Sequence, residues 1–224
     1  MLLQEKATSE LRQAIIFGTL KPGEKLSEPE LAQHFQTSRS PIREALVQLE
    51  QEGFVERSST GRVAVRALNI EEAEQLFIVR ATLEGLATRL AVENLTRRDT
   101  QKLKSNIEGM QQAGAKREFG EALELGADFH RIIIEACNNK PLQDCLVGFR
   151  ARTSRYRHIV ASLEEFSEQR INEHNAILAA LLTQSPQTAE QAMINHILVS
   201  SRETIAALKR YLESPVIAKS LRNT

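Results

Sequence analysis

Three histidines and a handful of arginines carry most of the chemistry legible in this sequence. His130 falls on an apolar stripe with Leu123, Ile133 and Ile134, His174 on one with Ile171, Leu178 and Leu181, and His196 on one with Ala189 and Met193. Each stripe repeats at helical spacing, so all three imidazoles are expected to point inward. A single inward histidine is most simply a core residue with one hydrogen bond. Three on separate helices of a bundle match the way such folds hold metal ions, with ring nitrogens projecting to one interior point. Completed by water or by a ligand carboxylate, a three-imidazole site suits zinc or nickel better than a harder ion. Arg80 lies at the spacing of Leu76, Phe77, Leu83 and Ala87. A guanidinium on an apolar face needs an anion, either a bound effector or Glu84 one turn away.

A second constellation lies near the amino terminus. Ile42, Ala45, Leu46 and Leu49 mark the inward face of a helix, which leaves Arg39, Ser40, Arg43 and Val47 on its outward face. Guanidinium forks at the start of a helix suit the paired acceptors of guanine in the major groove, and the hydroxyls of Ser38 and Ser40 suit phosphate oxygens. Further on, Thr60-Gly61-Arg62 sits at a turn between two short β-forming runs, where glycine permits close approach and Arg62 offers a charge to phosphate or minor groove.

The elements that must position these residues follow from periodicity. Ala7, Leu11, Ala14 and Ile15 mark a first helix, and Ser27 with Glu30 reads as a capping box for a short second one carrying Leu31, Ala32 and Phe35. After the three-residue turn Gln36-Thr37-Ser38 comes the helix with the two arginines, closed by Gly53. Phe54–Arg57 and Val63–Arg66 then read as a β-hairpin. Support helix, helix, turn, helix and hairpin make a winged helix-turn-helix. Asn69 caps a new helix and the boundary falls near residue 68. Beyond it, stripes over 71–93, 97–114, 118–138, 142–161, 168–184 and 187–212 predict an antiparallel six-helix bundle, with Thr96/Asp99 and Ser185-Pro186 as start signals. The expected architecture is mostly α: a DNA-binding unit over 1–68, a helical bundle over 69–213, and a loose tail over 214–224.

Composition narrows the function. With 29 basic and 29 acidic residues in 224 the net charge is zero, so any contact with nucleic acid must come from a local cluster rather than a broad basic coat. A hydrophobic share of 42% excludes a disordered chain. No apolar run approaches the ~18–20 residues that a membrane span requires, and charges interrupt the first twenty residues, so a cytoplasmic protein without a membrane partner is expected. Cys137 and Cys145 lack a metal-binding spacing and read as reduced, small core residues.

At Gly18-Thr19-Leu20-Lys21-Pro22-Gly23, Ser27-Glu28-Pro29-Glu30-Leu31-Ala32 and above all Ser38-Arg39-Ser40-Pro41-Ile42-Arg43-Glu44-Ala45-Leu46, the chain resembles the GntR family of bacterial transcription regulators. Pro29 stands where some relatives carry an arginine. The resemblance implies a dimer on a palindromic operator, with Ser38, Arg39, Ser40 and Arg43 of the recognition helix and Thr60, Gly61 and Arg62 of the wing as contacts. The second half resembles the FCD ligand-binding domain of the FadR-type branch at Arg80-Ala81-Thr82-Leu83-Glu84, Phe129-His130, Glu173-His174 and Asn195-His196-Ile197. Many such domains hold a divalent metal through one Asp and three His, and the resemblance assigns the imidazoles to His130, His174 and His196. The family Asp precedes the first His by one turn, where this chain has Gly126. Asp128 is about 200° around the helix from His130 and is expected to point away.

The function these residues imply is a ligand-responsive transcription regulator, a repressor of a catabolic operon. Its effector is a small organic acid whose carboxylate meets the metal and Arg80, and no organic cofactor is expected. A different use of three imidazoles is metal-dependent hydrolysis, but the sequence has no His-Glu-x-x-His run or inward carboxylate at the offset a general base needs, so no enzyme is expected. A third reading makes the bundle a dimerisation scaffold with structural histidines.

Overall fold

A computed structural model describes residues 2–161 and 168–213, so the segment expected to be a loose tail lies outside the described residues. Helices α1 (Leu3–Ile16), α2 (Glu28–His34) and α3 (Arg39–Gln51) precede a small antiparallel sheet of β1 (Lys25–Leu26), β2 (Val55–Arg57) and β3 (Val63–Val65). The strand order is β1-β3-β2, with Val55 opposite Val65 and Leu26 opposite Val63. The hairpin is thus widened by β1, whose two residues are too few to show a period of two. Leu11, Ile15, Ile42, Leu46, Leu49, Phe54 and Val65 close over one core. The Ser27 hydroxyl makes no capping bond at α2. Pro29 in that first turn brings no N–H, which leaves fewer free donors to satisfy.

The second half is entirely helical among the described residues: α4 (Ile70–Ala91), α5 (Arg97–Ala115), α6 (Phe119–Ala136), α7 (Lys140–Val160), α8 (Glu168–Leu182) and α9 (Pro186–Glu213). The six expected helices all form, with ends shifted by a residue or two, as fraying and capping allow. Thr96 and Asp99 make the full capping box. Asn69 accepts from the Glu72 amide at 2.9 Å, but the Glu72 carboxylate turns away to Arg66, Arg152 and Tyr156. Phe77, Leu103, Phe129, Ile133, Ile177 and Met193 form the centre of the bundle. α4 and α9 pack most extensively. Their close approach depends on Gly85, because a Cβ there would come within 2.6 Å of the Ile194 side chain.

The two halves touch through α1 and α7. The Phe17 ring meets the His158 imidazole edge-on at 4.8 Å, Ala151 packs against the core of the first half, and the Arg155 guanidinium donates to the Arg66 carbonyl. Cys137 is buried as expected, but Cys145 is exposed on α7: it precedes Leu146, which takes the inward position of that turn. No described helix is long and apolar enough to cross a membrane.

Leu46 has no exposed surface and holds α3 to the core. Leu46→Ala is expected to lower stability by about 2–5 kcal/mol in a urea titration followed by circular dichroism. A loss under 1 kcal/mol would contradict the packing described.

Candidate metal centre and nucleic-acid interface

The central feature of the bundle begins with Glu84, a carboxylate with no exposed surface on α4. Its Oε1 accepts from Arg80 Nε at 2.7 Å and its Oε2 lies 2.6 Å from His130 Nδ1. Arg80 is itself buried and donates its Nη1 to the Thr153 hydroxyl at 3.3 Å. Burial alone would raise the Glu84 pKa, but the Arg80 charge and the contact with His130 outweigh it and hold the carboxyl well below its ordinary value. The expected alternative for Arg80, pairing with Glu84, is therefore what the protein makes.

His130 on α6, His174 on α8 and His196 on α9 come together as the apolar stripes require, all buried and with their ligand atoms within 4.8 Å of one another. His130 Nε2 and His196 Nε2 are 3.3 Å apart. Every Nδ1 faces an acceptor: Glu84 for His130, the Arg170 carbonyl at 2.7 Å for His174, and Glu173 at 2.9 Å for His196. A ring that donates from Nδ1 presents a lone pair at Nε2. Three lone pairs thus converge on one spot, and His174 Nε2 is buried with no hydrogen-bond partner. Burial lowers the pKa of each ring, that of His130 to about 4 despite the opposing pull of Glu84, and those of His174 and His196 well below their ordinary value. Neutral, oriented imidazoles around an unsatisfied nitrogen are the donor set a divalent metal needs, so the cluster can bind one.

Two neighbouring positions on α6 bear on a possible fourth ligand. Gly126 faces the cluster, since a Cβ there would lie 4.0 Å from His174 Nε2 and 3.4 Å from Met110 Sδ. Asp128 is exposed and pairs with Arg131 at 3.1 Å, turned away as its helical offset requires. The nearby carboxylates Glu84 and Glu173 are each bonded to an imidazole Nδ1, which gives them an orienting task and not that of a free base. Sequence reasoning placed Glu84 beside Arg80 but missed its second bond to His130. It also missed Arg150, whose Nε is 3.8 Å from Glu84. The signal for the first was available: Glu84 shares a helical face with Arg80, and its second oxygen required a partner.

At the other end of the molecule, α3 presents Arg39, Ser40, Arg43 and Val47 to solvent. Ser38 is its N-cap residue, without a side-chain capping bond, so its hydroxyl is not engaged there. Arg43 reaches back to Glu28 on α2 at 3.1 Å, which raises its pKa, and Ser40 Oγ donates to Glu44 at 3.3 Å. Arg43 is 64% exposed in its side chain, so the pair is of the surface kind that exchanges readily. The wing tip is tightly built. Ser58 and Thr60 hydroxyls are 2.9 Å apart, the Arg62 amide donates to Ser58 Oγ at 3.1 Å, and Arg57 bonds the Gly61 carbonyl at 3.1 Å. Gly61 has φ 82°, a conformation that favours glycine, with open space beside it. Arg57 also pairs with Glu50 at 3.3 Å, fixing the wing to the end of α3.

Comparison with known proteins accords with both halves. Residues 3–65 match the model of bacterial regulatory proteins of the gntR family, and residues 75–198 match that of the FCD domain. The HTH-type transcriptional regulator LutR of Bacillus subtilis is 31% identical over 201 residues, covering 80% of this chain and 91% of that protein. The HTH-type transcriptional repressor RspR of Escherichia coli is 24% identical over 187 residues, covering 84% and 82%. The solved structure of E. coli McbR/YncC shares the fold, with a TM-score of 0.80, 23% identity and coverage of 94% of this chain and 99% of that one. With a winged reader in front and a polar-centred bundle behind, this chain belongs to the GntR family of DNA-binding transcription regulators, in the FadR-type branch that carries an FCD domain.

Proposed function

We propose that the protein is a metal-containing, effector-controlled repressor of a catabolic operon. Residues 1–68 serve as the DNA reader, and residues 69–213 as the sensing and dimerisation unit. The observation that carries this reading is the convergence of three Nε2 lone pairs on one buried point, in a chain whose other half is a winged helix-turn-helix. His130, His174 and His196 would hold zinc or nickel, and the ion would supply an open coordination position for a carboxylate oxygen. Gly126 brings no side chain to the cluster, so no protein carboxylate takes that position, and Arg80, bonded to the Glu84 that holds His130, supplies positive charge nearby. A small organic acid is therefore the effector class.

On the DNA side, Arg39 and Arg43 read base edges from the major groove, Ser38 and Ser40 contact phosphates, and Thr60, Gly61 and Arg62 bring the wing to the backbone. Two copies addressing half-sites about 34 Å apart would read a palindrome. Ile78 and Val79, 58% and 40% exposed on α4, offer apolar surface for the second copy. The repressor role follows the E. coli relative named a transcriptional repressor. Effector and DNA act on each other by linkage, the ligand favouring one dimer geometry and so one spacing of the α3 helices.

The two sites are expected to separate by mutation. Arg43→Ala should weaken binding to a selected operator fragment at least tenfold in a gel-shift titration while leaving metal content at its wild-type level. His174→Ala should abolish bound metal, measured by elemental analysis of purified protein, while the chelated protein still binds the fragment. Loss of both properties from either change would contradict two separable sites. Glu84→Gln, which keeps the shape but weakens the acceptor for His130, should lower metal affinity roughly 10–100-fold in a competition titration. Glu84→Ala should in addition cost about 3–5 kcal/mol of stability, because Arg80 is left buried without its anion.

A further inference from the structure

Between the DNA reader and the bundle lies a cleft of about 230 Å³ whose lining includes Arg12 of α1, Arg80 of α4, and Arg150 and Arg157 of α7. Four guanidiniums border it against one lining carboxylate, Glu124. Glu124 is already engaged, 3.0 Å from His158 Nε2, and its side chain is 57% exposed. From behind the wall, Glu52 pairs with Arg12 at 2.7 Å and Glu84 with Arg80 at 2.7 Å. Arg150 must share Glu84 at 3.8 Å and otherwise donates to the Ala127 carbonyl at 2.6 Å. These are not solvated surface arginines: the side chains of Arg12, Arg80 and Arg150 are 25%, 7% and 22% exposed. Arg12 and Arg80 each have a carboxylate, Arg157 is likewise engaged, and Arg150 has only a share of Glu84, so an anion entering the cleft would meet guanidinium groups already held in place and would complete the compensation of Arg150. Burial and the nearby Arg80 charge both lower the Arg150 pKa, which Glu84 only partly offsets.

We propose that this cleft is a second ligand site, for a small dianion such as a phosphate group or a short dicarboxylate, which ties the DNA reader to the bundle. The site shares Arg80 with the effector reading but does not depend on metal, since none of the three imidazoles lines it and the Arg80–Glu84 pair lies between. Its consequence is mechanical. Arg12 belongs to α1, and its bidentate bond to Glu52 fixes it to the carboxyl end of α3. An anion held by Arg12 on one wall and by Arg150 and Arg157 on the other therefore sets how the recognition helix sits on α7. The same anion competes with Glu84 for Arg80, and Glu84 orients His130. Occupancy of the cleft would thus be felt at both functional ends of the chain.

The test uses the full chain, stripped of metal and kept in chelator, titrated with inorganic phosphate and separately with succinate in a chloride buffer. Melting temperature and calorimetric heat are the readouts. Stabilisation that grows with ligand concentration is expected for one or both. Arg12→Gln and Arg157→Gln should each weaken binding by roughly tenfold or more, the loss of a charge-assisted contact, and His174→Ala should leave it unchanged. Phosphate alone, or succinate alone, would support the site and assign its chemistry. Melting curves in chloride report whether each variant is folded, and Arg157→Lys, which keeps the charge, should recover part of the binding. The proposal is overturned if neither anion stabilises the wild type, if both arginine variants bind as the wild type does, or if binding vanishes in His174→Ala. The last result would place the anion at the imidazole cluster instead of in this cleft, whereas absence of metal from the purified protein would contradict only the metal reading.

Discussion

One buried carboxylate organises the second half of the molecule. Glu84 has no exposed surface and faces positive charge from Arg80 and Arg150 and an imidazole from His130. Taking a carboxylate out of water costs several kcal/mol and is tolerated only where its oxygens are fully met. Meeting them fixes α4 to α6 through His130, and, through the Arg80–Thr153 bond, to α7. The tautomer of His130, hence the direction of its lone pair, follows from the same contact. Packing of Phe129, Ile133 and Met193 shapes the bundle, but this polar centre specifies which faces meet there.

The first half shows the reverse economy. Its core is apolar save for Thr8, and its charges stand on the outside, where α3 and the wing share one exposed face held by Arg57 and Glu50. The two halves are joined by a mixed interface in which Glu72 gathers Arg66, Arg152 and the Tyr156 hydroxyl. Polar contacts of this kind, rather than a large apolar face, are what usually joins domains that move relative to one another.

Much of this was legible in the residues. The helical stripes placed His130, His174 and His196 inward because a residue at the period of Leu178 or Ile133 has no other direction to face. The outward turn of Asp128 followed from helix geometry, whereas Gly126 drew notice only through the resemblance, as the residue standing where the family Asp usually lies. The Ser27 capping box did not form, although the Glu30 amide it would meet is present, and β1 escaped because two residues show no pattern. Cys145 was misplaced by treating a small apolar residue as buried without checking its offset from Leu146. The links between helices were harder. That Glu84 bonds His130 across 46 positions, or that Arg150 approaches Glu84, depends on how α4, α6 and α7 cross. Local spacing could show that the second oxygen of Glu84 needed a partner, but not which helix would supply it.

The resting position of Arg43 against Glu28 sets a threshold for any contact it makes. Should α3 enter a groove as proposed, the guanidinium would exchange one anion for another acceptor instead of leaving water alone. A weak single acceptor would then leave it folded back on Glu28, whereas the paired acceptors of one base edge would draw it across, and the modest worth of an exposed ion pair keeps that threshold low.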